Sequence, residues 1–214
     1  SYDEMLEMAS SGTKVMQSRS VEFAKKYGVV FEVCSSINDN PGTLVTEEHP
    51  AMEAVVIRGV SIERSQARVT ITDIPDTPGQ SGKILGCLAD AEINVDMIVS
   101  NISSDGMARH SFTMHTNDLG RAQAALKPVL SELSSDAKIE SEAALAKLST
   151  VGIGMRSHAG VAAKMFQALG KAGINIGMIT TSEIKISVTV SESQIEDAAR
   201  VVHEAFELDK KPLA

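Results

Sequence analysis

The stretch Ile74–Ser103, IPDTPGQSGKILGCLADAEINVDMIVSNIS, is written again in altered form 81 residues later, as GIGMRSHAGVAAKMFQALGKAGINIGMITTSEI. Laying Gly79 on Gly160 also places Lys83 on Lys164, Leu88 on Leu169, Ala91 on Ala172, Ile93-Asn94 on Ile174-Asn175, and Met97-Ile98 on Met178-Ile179. Self-similarity at a fixed offset constrains a fold more than any local pattern, because each copy must bury the same apolar faces in the same order. The chain is therefore expected to build one unit twice.

The repeating element order follows from periodicity. ARVTITDI from Ala67 alternates as a strand, with Val69 and Ile71 on one face and Arg68, Thr70 and Thr72 on the other. Gly79–Ala91 repeats apolar residues at helical spacing (Ile84, Leu85, Leu88, Ala91). Val95–Asn101 and Ala108–Thr116 read as strands joined by the turn Ser103-Ser104-Asp105-Gly106. Asp118–Leu133 reads as a second helix with Pro128 as a kink, and Lys138–Ser141 as a short strand. The second copy gives Leu148–Ile153, helix Val161–Ala172, strands Ile176–Thr181 and Ile184–Val190, and helix Ser191–Phe206. It then lacks a last strand, and Ala54–Val60 is the free candidate to supply it. The expected fold is α+β: two ferredoxin-like βαββαβ domains, the first inserted into the second, each an antiparallel sheet with helices on one face.

Ahead of the copies, Ser1–Tyr27 shows the spacing of two short helices. Val29–Ser35 reads as a strand, Asn38–Gly42 as a turn and Thr43–Pro50 as a linker. The start at Ser1, inside a helical pattern, suggests a piece of a longer chain. With 214 residues, 43% of them hydrophobic, the chain can bury two small cores. Its formal charge of -8 and its scattered basic residues argue against nucleic acid as a partner. Cys34 and Cys87 have no CxxC spacing and imply neither a disulfide framework nor a metal site. No run approaches the ~20 apolar residues of a membrane span, and no signal peptide opens the chain, so a cytoplasmic location is expected.

Chemistry is expected where a loop delivers a helix start, because unpaired N–H groups and the helix dipole there attract an anion such as a carboxylate. In the first copy this loop is Pro75-Asp76-Thr77-Pro78-Gly79. An amino acid would also need acceptors for its ammonium, and Asp76, Asp96 and Glu183 are candidates. Asp76 reads equally as a helix cap, and Asp96 also as a solvated strand end. Asn94 and Asn175 read equally as turn residues, and His158 first as a cap. Enzymatic signals fail: Ser157 breaks a GxGxxG beginning at Gly152, no GxxxxGK[ST], GxSxG or HExxH occurs, and Met97, Met165 and Met178 fall on core faces.

The D-x-P-G helix start, EINVDM, GINIGMITTSEIKISV and the SHAGV loop closely resemble the regulatory portion of aspartate kinase with its tandem ACT domains. YDEMLEMASSGTKVMQSRS and SSINDNPGTLV resemble the end of that enzyme's kinase domain and its linker. The resemblance implies residues 1–50 as partial kinase domain and linker, 66–143 as the first ACT domain, and 53–62 plus 146–207 as the second. It further implies a parent enzyme that phosphorylates L-aspartate with Mg-ATP, the machinery lying upstream, so that this stretch holds no catalytic residue, cofactor or metal. Its role would be feedback inhibition by lysine and/or threonine, with the ACT domains pairing between two chains of a homodimer and acting on the attached kinase domain. One implied site uses Asp76, Pro78, Gly79, Gln80, Ser81 and Ser100 with Asn175 and Ile176. The other uses Met155, Ser157, His158, Ala159, Gly160, Val161, Ser182 and Glu183 with Asn94 and Asp96. Charge assigns lysine to the second, through Asp96 and Glu183. Threonine falls to the first, where Ser100 stands in place of the glutamine common in threonine-binding relatives. The alternative is a stand-alone ACT-type sensor or regulatory (beta) subunit.

Overall fold

Alternating and helical apolar patterns resolve, in a computed structural model that describes residues 1–103 and 106–210, into six α-helices and eight strands. They run α1 (Tyr2–Ser10), α2 (Ser18–Tyr27), β1 (Phe31–Val33), β2 (Thr43–Val45), β3 (Gly59–Pro75), α3 (Gln80–Asp90), β4 (Ile98–Ile102), β5 (Met107–His115), α4 (Leu119–Leu133), β6 (Lys138–Val151), α5 (Val161–Lys171), β7 (Ile179–Thr181), β8 (Lys185–Ser191) and α6 (Ile195–Ala205). No helix among the described residues is long and apolar enough to cross a membrane.

The chain forms two compact units. One holds Arg64–Lys147 with Thr189–Ser193. In it the strand order is β4-β5-β3-β6, with antiparallel partners such as Val69↔Phe112 and Ser100↔His110. Every second residue of β3 and β5 (Val69, Ile71; Phe112, Met114) is buried against Ile84 and Leu88 of α3 and Ala122, Leu126 and Leu130 of α4. Burying each such side chain is worth ~1.5–3 kcal/mol, and this period-two against period-3.6 match holds the layers together. On the opposite strand face the Thr70 and Ser111 hydroxyls lie 3.0 Å apart.

The other unit holds Ser1–Glu63, Leu148–Val188 and the stretch from Gln194 on. Its strands follow the order β3-β6-β8-β7, and the Arg58 N–H donates to the Val151 carbonyl at 2.8 Å. Val161, Met165 and Leu169 of α5 and Ile195, Ala198 and Val202 of α6 are buried, as are Val151, Ile186 and Val188. The N-terminal segment belongs to this unit. Ser1 and Glu4 form a reciprocal capping box that starts α1, and β1 pairs with β2 in the register Phe31↔Val45.

Several expectations need correction. The separate strands expected at Ala54–Val60 and from Ala67 are one strand, β3, preceded by a 3₁₀ turn at Pro50–Ala54. The strands expected at Lys138–Ser141 and Leu148–Ile153 are likewise one, β6. Ser65 (φ 59°) and Ala144 (φ 58°) take left-handed conformations inside these strands, so the alternation breaks while the strand continues. Thr43–Val45 is a strand within the expected linker. β4 and β7 both begin three residues or more after the expected Val95 and Ile176. In the first copy the reason is local: the Met97 N–H donates to the Thr113 Oγ1 at 3.0 Å, so a side chain takes a ladder position. The turn expected at Ser103–Gly106 includes Ser104 and Asp105, which lie outside the described residues, as do 211–214 at the end of the tail.

Two glycines of the second copy separate packing from conformation. A Cβ on Gly154 would stand 2.6 Å from the Glu53 and Val55 carbonyl oxygens, whereas one on Gly170, within α5, meets nothing within 4 Å. Gly154→Ala is expected to destabilise this unit by about 2–3 kcal/mol. Gly170→Ala should stabilise it by up to about 1 kcal/mol. Urea unfolding midpoints of the two variants check both signs.

Candidate functional site

The repeated loop reaches its helix in the same way in both copies. Gly79 precedes α3 with φ 94° and Gly160 precedes α5 with φ 89°. Both angles lie in the left-handed region that a Cβ disfavours. No side chain caps either helix, and a Cβ at either glycine would meet no atom within 4 Å. Each unit thus presents a helix start whose first N–H groups lack a side-chain acceptor, an arrangement that suits a carboxylate. The expectation that Asp76 or His158 caps these helices is thereby corrected. The chain turns through a left-handed glycine instead, and neither side chain comes into capping position.

In the first-copy unit, Asp76, Pro78 and Gly79 are exposed along one loop, and Ser81 is exposed in the first turn of α3. The Asp76 N–H donates to the Gly106 carbonyl at 3.0 Å. Gln80 donates from its amide nitrogen to the Thr77 Oγ1 at 2.6 Å, while its Oε1 is buried with no partner among the described residues. Ser100 sits on β4 directly across from His110. Asn94 and Asp96 lie between α3 and β4, both exposed. The Asp96 N–H donates to the Thr113 carbonyl at 2.9 Å, and its carboxylate is ion-paired with Lys147. Lys147 is not among the residues expected at the site, although it is a lone charge in the apolar run Ala143-Ala144-Leu145-Ala146-Lys147-Leu148 of β6.

In the second-copy unit, Met155 lies in a 3₁₀ turn, Ile153–Arg156, ahead of the helix. The Ser157 hydroxyl donates to Glu53 Oε2 at 3.0 Å, and His158 Nδ1 is 2.8 Å from the Gly154 carbonyl. Ala159 is exposed, and Val161 is the first, buried residue of α5. Ser182 and Glu183 form the β7–β8 turn, where the Ser182 N–H donates to the Lys185 carbonyl at 2.8 Å. Glu183, its side chain 81% exposed, pairs with Arg156 at 3.4 Å. Asn175 and Ile176 also belong to this unit, between α5 and β7.

Three acidic residues from the N-terminal segment hold this second loop. Glu4, 2% exposed, accepts from the Ile153 N–H at 2.9 Å. Glu48 accepts from Arg156 at 2.8 Å, and Glu53 from Ser157. No local motif announces these pairings, because each joins residues about a hundred or more positions apart.

The first site carries one pH-sensitive group. Burial pushes the His110 imidazole below its usual 6.5, and the nearby Asp76 carboxylate partly offsets this. The unfolded chain therefore takes up this proton first as pH falls, and His110 withdraws stability from its unit below about pH 6.5. Between about pH 7.5 and 5.5 the urea midpoint should fall less in His110→Gln than in the parent, and more in Asp76→Asn.

Residues 68–132 match the ACT domain family, and residues 148–206 match a second ACT domain description. The chain is 49% identical over 209 residues to the aspartate kinase Ask_LysC of Stutzerimonas stutzeri, covering 97% of this chain and 50% of that protein. It is 44% identical over 214 residues to an aspartokinase of Helicobacter pylori, covering 98% and 52%. The chain thus spans about half the length of the curated relatives it matches. Among solved structures it resembles a chain of the aspartokinase alpha and beta subunits at 43% identity and TM-score 0.66, covering 71% of this chain and 99% of that one. The regulatory subunit of aspartate kinase from Thermus thermophilus gives 38% identity and TM-score 0.65, covering 70% and 98%. Two copies of one sequence unit, two bare helix starts and these matches lead to one conclusion: the chain belongs to the aspartate kinase family, as its regulatory region with two ACT domains.

Proposed function

We propose that this region binds end-product amino acids, lysine and/or threonine, and through them inhibits ATP-dependent phosphorylation of L-aspartate by the kinase domain of the parent protein. The observation that carries the reading is the pair of uncapped helix starts at Gly79 and Gly160, each suited to an α-carboxylate. The unpartnered acceptor Gln80 Oε1 at the first start supports it. Threonine is assigned to the site of Asp76, Pro78, Gly79, Gln80, Ser81 and Ser100, completed by Asn175 and Ile176 of a second copy. Lysine is assigned to the site of Met155, Ser157, His158, Ala159, Gly160, Val161, Ser182 and Glu183, completed by Asn94 and Asp96 of a second copy. The strand orders and the Arg58–Val151 bond support reading the first ACT domain as inserted into the second. An effector that joins two copies shifts the enzyme only by its difference in affinity between two arrangements. An effector-tightened dimer would then hold the kinase domains unproductively. The match to a Thermus thermophilus regulatory subunit favours, as the second reading, a regulatory subunit acting on a separate kinase chain.

Thermal unfolding with aspartate-derived amino acids tests the proposal. Lysine or threonine at about 100 times Kd should stabilise the chain by ~2.7 kcal/mol. Gly79→Ala, strained by roughly 1 kcal/mol, should lose the threonine response and keep the lysine response. Gly160→Ala should do the reverse. Absence of any response to lysine and threonine, singly and together, would count against the reading.

A further inference from the structure

Asp96 is an acidic residue of the repeat whose counterpart, Gly177, carries no side chain, and it does not stand alone. Its backbone is fixed by the 2.9 Å bond to the Thr113 carbonyl, and the next N–H, that of Met97, is held by Thr113 Oγ1. Its carboxylate is paired with the ammonium of Lys147, whose side chain is only 6% exposed, while that of Asp96 is 47% exposed. The carboxylate therefore meets solvent on one side and a resident cation on the other. Lys147 lies in β6 with its side chain almost wholly out of water, and the pairing keeps its ammonium beside the Asp96 carboxylate.

This arrangement changes what Asp96 can offer a ligand. An incoming ammonium would find the carboxylate already neutralised on one side and would stand a few ångströms from a like charge, where repulsion is appreciable in a partly desolvated site. A ligand with an uncharged side chain feels neither effect.

We propose that Lys147 is a specificity-determining residue of the effector site at Asn94 and Asp96: a built-in cation that weakens binding of amino acids with a cationic side chain and leaves neutral ones untouched. The proposal rests on the reading of Asn94 and Asp96 as effector contacts. It sets the lysine concentration at which the site fills above what the two acidic residues alone would give. Glu183, the other carboxylate of that site, is also paired, with Arg156, but there the carboxylate is exposed and the pairing is screened by water.

Calorimetric titration of the chain with L-lysine, L-threonine and L-norleucine, an uncharged analogue of lysine, tests this. Lys147→Met should tighten L-lysine by about tenfold or more and leave L-threonine and L-norleucine within about twofold. Lys147→Arg, which keeps the charge, should match the parent. Lys147→Gln, which removes the charge and keeps a polar head, should tighten L-lysine in the same way and decides the matter should Lys147→Met fail to fold. Unchanged or weaker L-lysine binding by whichever of the two variants folds overturns the proposal while threonine binding continues to uphold the effector sites. No binding of any amino acid by the parent chain overturns both.

Discussion

Each unit depends on laying an eleven-residue helix, α3 or α5, along the strands beside it so that one stripe is buried. Ile84 and Leu88 do this in the first copy, Met165 and Leu169 in the second. That burial fixes the helix's rotation, and the rotation fixes where the chain must turn to enter it. A residue with a Cβ would resist the left-handed conformation required there, so glycine occupies the position twice. The same glycine leaves the first N–H groups without a capping side chain. Packing and the uncapped helix start are thus two results of one geometric demand.

Around this shared framework the two copies diverge in charge. The second loop is gripped by Glu4, Glu48 and Glu53. Glu4 is almost wholly buried, where a carboxylate persists only with hydrogen-bond partners. Its bond to the Ile153 N–H ties α1 directly to the loop that leads into α5. At the first loop Asp76 and His110 share a field. A ligand seated on the second loop would therefore act on a segment continuous with the N-terminal helices.

The acidic residues singled out for a ligand ammonium show the limit of reading charge from sequence. Asp96 and Glu183 stood out as carboxylates at strand ends, yet each is engaged by a cation of its own unit, Lys147 and Arg156. Asp96 and Lys147 are fifty-one positions apart, and nothing in either neighbourhood encodes the meeting. Ser65 and Ala144, in the gaps between expected strands, take left-handed conformations while β3 and β6 run on through them.

What the sequence determined by itself was the duplication, the α+β order of each copy, the two helix starts and the family. All of these rest on periodicity and on residue types whose conformational needs are local, above all Gly79 and Gly160. What the tertiary structure decided was the strand lengths, the absence of caps at both helices, the acidic grip on the second loop and the burial of Lys147 beside Asp96. Those depend on which distant side chains come within a few ångströms of one another. The electrostatic energy of a pair is set by that distance and by how much water remains around it.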